Sequence, residues 1–154
     1  MKVIILVIGI ALFFIFMLFR SVSKYAKRQY LLDIKYLVNN SLNEKLNTFV
    51  TTLNNKLYEG FGYVKVVDET TFNLYNSDGS DNIRFIYDIL GLIVIWKCKY
   101  GSEVEDEMRY QHIYNKLKVR ESISDEEQIK MAKLFIQGRE KVLDKKLDEL
   151  SNNL

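Results

Sequence analysis

Chemistry in this 154-residue chain would have to start from a single cysteine, Cys98, and a single histidine, His112. A thiolate–imidazole dyad can act as a nucleophile and base, but only with an accessible thiolate and a third group to orient the ring. Cys98 falls inside the strand predicted over Leu92–Tyr100, which should be buried, so it reads as a structural cysteine, and His112 reads as an ordinary packing or surface histidine. With one of each, thiolate-rich zinc sites and two-histidine metal sites are excluded. Glu103, Glu105, Asp106 and Glu107 could gather a divalent cation or form a carboxylate pair. Nothing beside them supplies a nucleophile, and a charge run of this kind is usually a solvated face.

Two further patterns carry some chemical content. Asn76-x-Asp78-Gly79-x-Asp81 has oxygen ligands in alternation but lacks the full spacing and closing glutamate of a calcium loop, so it reads as a plain turn. Tyr87, Trp96, Tyr100, Tyr110 and Tyr114, with Lys97, Lys99 and Arg109, could make a sheet on which bases stack. The ribonucleoprotein signatures are absent and aromatics in strands are more often core, so nucleic acid is not an expected partner. There is no phosphate-cradling glycine motif, nucleophile elbow or HExxH. The expectation is a non-enzyme with no catalytic, cofactor-binding or metal residue and no cofactor.

The elements that would position any site begin with an apolar run, Val3–Phe19, which holds no charged, amide or hydroxyl side chain. As a helix it would span roughly 26 Å against a hydrocarbon core of roughly 30 Å, which predicts a transmembrane anchor. A cleaved signal fits less well, because the run is long and Ser21-Val22-Ser23 makes a poor cleavage site. Arg20, Lys24, Lys27 and Arg28 follow at once; they predict contact with the membrane surface and, as the richer basic flank, a cytoplasmic domain on a single-pass protein. The lipid bilayer is then one partner and an unknown protein the other.

Net charge is only +2, so no global field draws the chain to a polyanion. One cysteine precludes an intramolecular disulfide. The absence of proline, with abundant Asn, Lys, Ile and Tyr, gives the composition a bacterial or phage cast.

Beyond the basic cluster, Leu31, Ile34, Val38, Leu42, Leu46, Phe49, Leu53 and Leu57 recur every three or four residues, the stripe of an amphipathic helix. Ser41-x-x-Glu44 has capping-box spacing and predicts a break near Asn40. From Tyr63 the period shortens towards two. Tyr63–Val67 and Thr71–Tyr75 read as strands around an Asp68-Glu69 turn, and 76–82 reads as a hairpin loop. Residues 83–90 are assigned to a strand over a competing helical pattern. Leu92–Tyr100 is expected to be the middle strand of the sheet, and 103–114 stays open between strand and helix. Ser124-Asp125-Glu126-Glu127 opens a last helix whose first half should pack on the sheet. Its narrowing stripe, Leu143, Leu147 and Leu150, offers a seam for a homo-oligomer.

The predicted architecture is therefore α+β. A transmembrane helix occupies 1–20, a juxtamembrane basic segment and amphipathic helical stalk 21–59, and an antiparallel sheet of four or five strands with a C-terminal amphipathic helix 60–154. The function this implies is a membrane-anchored interaction or scaffold module. The alternatives are a structural subunit of a phage particle or envelope-spanning assembly, an exported domain after signal cleavage, or a membrane-anchored enzyme of unfamiliar type.

Overall fold

The computed structural model describes residues 2–99, 107–115 and 117–152, leaving undescribed the side chains of 2–11 and 150. Four helices and five strands follow in the order α1 (Lys2–Leu37), α2 (Leu42–Lys45), α3 (Asn47–Leu57), β1 (Tyr63–Asp68), β2 (Thr71–Tyr75), β3 (Asp81–Asp88), β4 (Gly91–Lys99), β5 (Glu107–Tyr114) and α4 (Asp125–Ser151). The α+β class is as expected, with a five-stranded antiparallel sheet.

The strands lie side by side in chain order, β1-β2-β3-β4-β5; β1 to β4 are joined by short turns that return the chain antiparallel to its neighbour, and β5 pairs antiparallel with β4. Gly79 (φ +77°) supplies the left-handed backbone between β2 and β3. Gly91 (φ +107°) opens β4, where a Cβ would sit 2.5 Å from the Tyr114 carbonyl oxygen. Residues 83–88 are strand, as assigned, and the chain turns at Ile89-Leu90. The segment left open resolves as a strand from Glu107, while 103–106 lie outside the described residues. Leu92–Lys99 is an interior strand, but the middle one is β3.

Strand alternation gives the sheet two faces. One carries Phe72 and Leu74, then Ile83, Phe85 and Tyr87, then Leu92, Val94 and Trp96; all are buried, and all four helical segments lie on this side. Phe85 is its centre, stacked on Phe72 at 4.3 Å and met edge-on by Phe49 of α3. Met131, Ala132 and Phe135 of α4 complete the layer, so the first half of that helix packs on the sheet as predicted. Its N-terminus is capped by Ser124, whose Oγ accepts the Glu127 amide at 3.2 Å. Gln128, buried, accepts the Phe49 amide and donates to the carbonyls of Lys45 and Ile123, tying α4 to the start of α3. Further along, α4 comes so close to β5 that a Cβ on Gly138 would lie 1.9 Å from the Tyr110 hydroxyl.

The N-terminal half departs from expectation in two ways. The helix breaks near Asn40 as predicted, although Ser41 makes no side-chain cap bond. Upstream of the break, however, the buried side of α1 is Asp33 and Leu37, with Tyr30 packed beside them, while Leu31 and Val38 are well exposed. Asp33 overrides the apolar stripe because it has partners: its carboxylate accepts the Tyr87 hydroxyl at 2.8 Å and the Arg120 guanidinium, and Tyr30 stacks on the Tyr87 ring.

The transmembrane anchor is overturned outright. Among the described residues no helix is long and apolar enough to cross a membrane. The backbone of α1 continues unbroken from Lys2 to Leu37, and the described part of the expected run, Leu12–Phe19, covers only roughly 12 Å of helix before Arg20. The part of that expectation resting on the side chains of residues 1–11 lies outside the described residues. With the span go the single-pass topology, the membrane localisation, the bilayer as partner and the signal-anchor reading.

Candidate binding face

The helices leave the second face of the sheet uncovered, and the strand registers set its side chains in rows. At one end a row crosses all five strands as Tyr63, Tyr75, Asn82, Lys97 and Arg109. The next row is Lys65, Asn73, Arg84, Ile95 and Gln111. A third row, Thr71, Ile86, Ile93 and Ile113, is mostly aliphatic. Lys99 extends the basic end beyond the first row, opposite Glu107.

Five cations therefore converge on this face: Lys65, Arg84, Lys97, Lys99 and Arg109. Lys97 is paired with Glu107 at 2.9 Å, and Arg109 donates to Gln111 at 3.3 Å. Among the described residues, none of the other three has an ion pair or side-chain hydrogen bond. The remaining acids, Asp68 and Asp88, stand at the far border beside the aliphatic row, and Asp68 is occupied by the amide and hydroxyl of Thr70. Tyr63 and Tyr75 stack across the β1–β2 pair at 5.4 Å and 20°. Tyr63 is half exposed, at 50%. β1 is exposed on both faces, so Val64 and Val66 are bare even on the helix side.

The residues singled out from the sequence are distributed differently. Tyr87, Trp96, Tyr110 and Tyr114 point into the helical layer, away from Lys97 and Arg109, so these aromatics are core and make no stacking platform with those cations; Tyr100 lies outside the described residues. Cys98 and His112 share the helix-side face but occupy different rows: Cys98 pairs with Asp81 and Met108, His112 with Val94. Burial and the nearby Asp81 carboxylate push the Cys98 thiol up, which opposes thiolate formation. His112 is half-buried, its Nδ1 3.2 Å from the Tyr110 hydroxyl.

Glu103, Glu105 and Asp106 lie outside the described residues. The 76–82 loop is a self-bonded turn in which Asp78 Oδ1 accepts from the amide and hydroxyl of Ser80, and these bonds hold the Asp78 carboxyl below its ordinary range. Arg20, Lys24, Lys27 and Arg28 are all exposed on α1.

One constellation was missed altogether. Asp81, buried at the start of β3, accepts the Tyr58 hydroxyl and, at 2.8 Å, the Trp96 indole N–H on Oδ1. Arg139 of α4 lies over the Trp96 ring at 4.5 Å and reaches Oδ2 at 3.4 Å, while its Nε is buried without a partner among the described residues. Burial first, then the Asp81 carboxylate, drives the Tyr58 phenol far above its usual value. The cluster joins α3, β3, β4 and α4. In the sequence Asp81 looks like a turn residue, and no local signal marks it as buried.

Fold and surface together define a small α+β domain whose helices cover one side of a meander sheet and leave the other open. Comparison with protein-family models, with curated proteins and with solved structures finds no match to this chain.

The scaffold tethered in a membrane and the membrane-anchored enzyme rested on a membrane span, and they fall with it. Nor does the structure support a homo-oligomer through the C-terminal helix. Ile136, Val142 and Leu143 are turned onto the chain's own core, leaving Leu147 as the exposed remainder of the seam among described side chains.

Proposed function

We propose that this chain is a binding domain, without a reaction of its own, whose open sheet face takes single-stranded nucleic acid. The observation that carries the reading is the helix-free face itself, with cations down two adjacent rows and a stacked tyrosine pair at their border. Proteins that hold single strands combine a basic track for the phosphates with aromatic rings for the bases. Strands are spaced about 4.8 Å apart, so the track from β1 to β5 is about 19 Å long, enough for a few nucleotides. The apolar third row would lie under bases or sugars, and the cations nearest Tyr63 would meet phosphate.

The test is fluorescence anisotropy of a labelled single-stranded oligonucleotide in low salt. Tyr63→Ala is the informative variant because the ring is half exposed and outside the core. Stacking of one base on an aromatic ring is worth about 1–3 kcal/mol, so Kd should rise at least about fivefold with an unchanged melting temperature. Saturable binding that ignores both Tyr63 and the cations, or no binding at all, would overturn the reading.

A further inference from the structure

We propose that the groove between the α3–β1 connection and the β2–β3 turn binds a small aliphatic diamine. With a volume of about 590 Å³, this groove has the size of a small-molecule site. Leu57, Tyr58 and Phe61 form its apolar walls, Asn76 and Ser77 line its opposite rim, and Asp81 and Glu59 supply carboxylates. Among the described residues, none that lines it is basic.

Three features point to an alkylammonium occupant. Phe61 is 73% exposed, although it sits in a connection whose backbone is clamped. Asn54 holds that connection by donating to the Gly60 and Gly62 carbonyls and accepting the Gly62 amide. An exposed aromatic on a fixed backbone makes a ready wall for a methylene chain or a cation. Secondly, the Asp81 side chain is nine-tenths buried, yet only its Oδ1 is well used; Oδ2 has the single long contact to Arg139 and retains acceptor capacity. Thirdly, Arg139 offsets the Asp81 charge from outside the groove, so Glu59, exposed at the rim, supplies the net attraction for a second ammonium. One ammonium would donate to Asp81 Oδ2, the methylenes would lie along Phe61 and Leu57, and the other end would meet Glu59. The geometry disfavours a bare metal ion, which would leave the apolar walls unused.

The experiment titrates 1,4-diaminobutane into the isotopically labelled full chain and follows the amide resonances of Phe61, Asn76 and Ser77. Saturable millimolar shifts confined to these positions are expected, absent with 1,4-butanediol and with sodium chloride of equal ionic strength. Glu59→Gln removes the rim charge without touching the Asp81 cluster and should weaken binding about tenfold; Phe61→Ser should do the same by removing the wall. If Glu59→Gln and Phe61→Ser bind like the parent, or the diol shifts the same resonances, the proposal fails. It also fails if the diamine shifts are unsaturable or spread over the chain's other acids. Because both substitutions leave the open sheet face intact, nucleic-acid binding should be unchanged in them.

Discussion

If phosphates sit on the open face, the salt dependence of binding should count its cations. Lys65, Arg84, Lys99 and Arg109 have no acidic partner among the described residues, whereas Lys97 is engaged by Glu107. Each phosphate neutralised on a single strand adds about −0.7 to the slope of log K against log salt, so four cations predict a slope of about −2.8. Between 50 and 200 mM salt the affinity should therefore fall about 50-fold. Arg84 is the cation to remove, since it is exposed in the middle row, pairs in register with Asn73 and Ile95, and contributes nothing to the core. Arg84→Gln should lower the slope to about −2.1 and the loss over the same interval to about 20-fold. The assay is equilibrium anisotropy at five or so salt concentrations on parent and variant, with Trp96 fluorescence confirming that both are folded. A slope near zero, or one that Arg84→Gln leaves unchanged, would refute the assignment of this face even if some oligonucleotide binding were seen.

The fold supplies its own tests. Asp81→Asn should destabilise the chain by about 3 kcal/mol in chemical denaturation, because Arg139 would be left as a largely buried cation without its counter-charge. Gly138→Ala forces a methyl into the Tyr110 ring, which is packed on Phe135; a loss of about 1–3 kcal/mol is expected, and Tyr110→Leu in the same chain should restore part of it. Raising the pH should unfold the protein early. Burial, reinforced by Asp81 and Asp33 respectively, holds the Tyr58 and Tyr87 phenols above their ordinary pKa of 10.0. A raised folded pKa means that stability is fully present below pH 10 and is lost above it, as the unfolded chain releases protons that the native one keeps. Each tyrosine contributes up to about 1.4 kcal/mol per pH unit, so urea midpoints should fall steeply from pH 10 upward, and less steeply in Tyr87→Phe.

How much of this was legible before the structure depended on whether the signal was local. The hairpins were readable because turn residues and period-two alternation sit next to each other in the chain. So was the last helix, since Ser124 caps it with its own sequence neighbours. The open face was not readable, because a strand's parity says that two sets of side chains diverge but not which set the helices will cover. Tyr87, Trp96 and Lys97 lie close in the sequence as one aromatic and basic group, yet the registers put the tyrosine and tryptophan inside and the lysine outside. The stripe through Leu31, Ile34 and Val38 failed for a different reason. Periodicity treats a carboxylate as solvent-facing, whereas Asp33 is buried by the long-range donors Tyr87 and Arg120, which no window around residue 33 contains. The apolar run illustrates the limit of hydropathy alone: it predicted a membrane span where, among the described residues, the helix is continuous but not apolar for long enough.

The two buried carboxylates explain how one face of the sheet can be committed so completely while the other stays free. β3, the middle strand, carries Asp81 at one end and Tyr87 near the other. At the first, α3 and α4 are fastened through Tyr58 and Arg139; at the second, α1 is fastened through Asp33, with Arg120 closing the contact from the segment before α4. Apolar burial alone is non-directional and would tolerate a rotated or slid helical layer. Hydrogen-bonded charges at both ends of one strand penalise such shifts, since any displacement would leave a buried carboxylate or guanidinium unpaired. The helical layer is thus fixed without assistance from the opposite side. Side chains there answer to strand propensity rather than to helix packing, so exposed lysine and arginine can occupy a central row of the sheet without cost to its core.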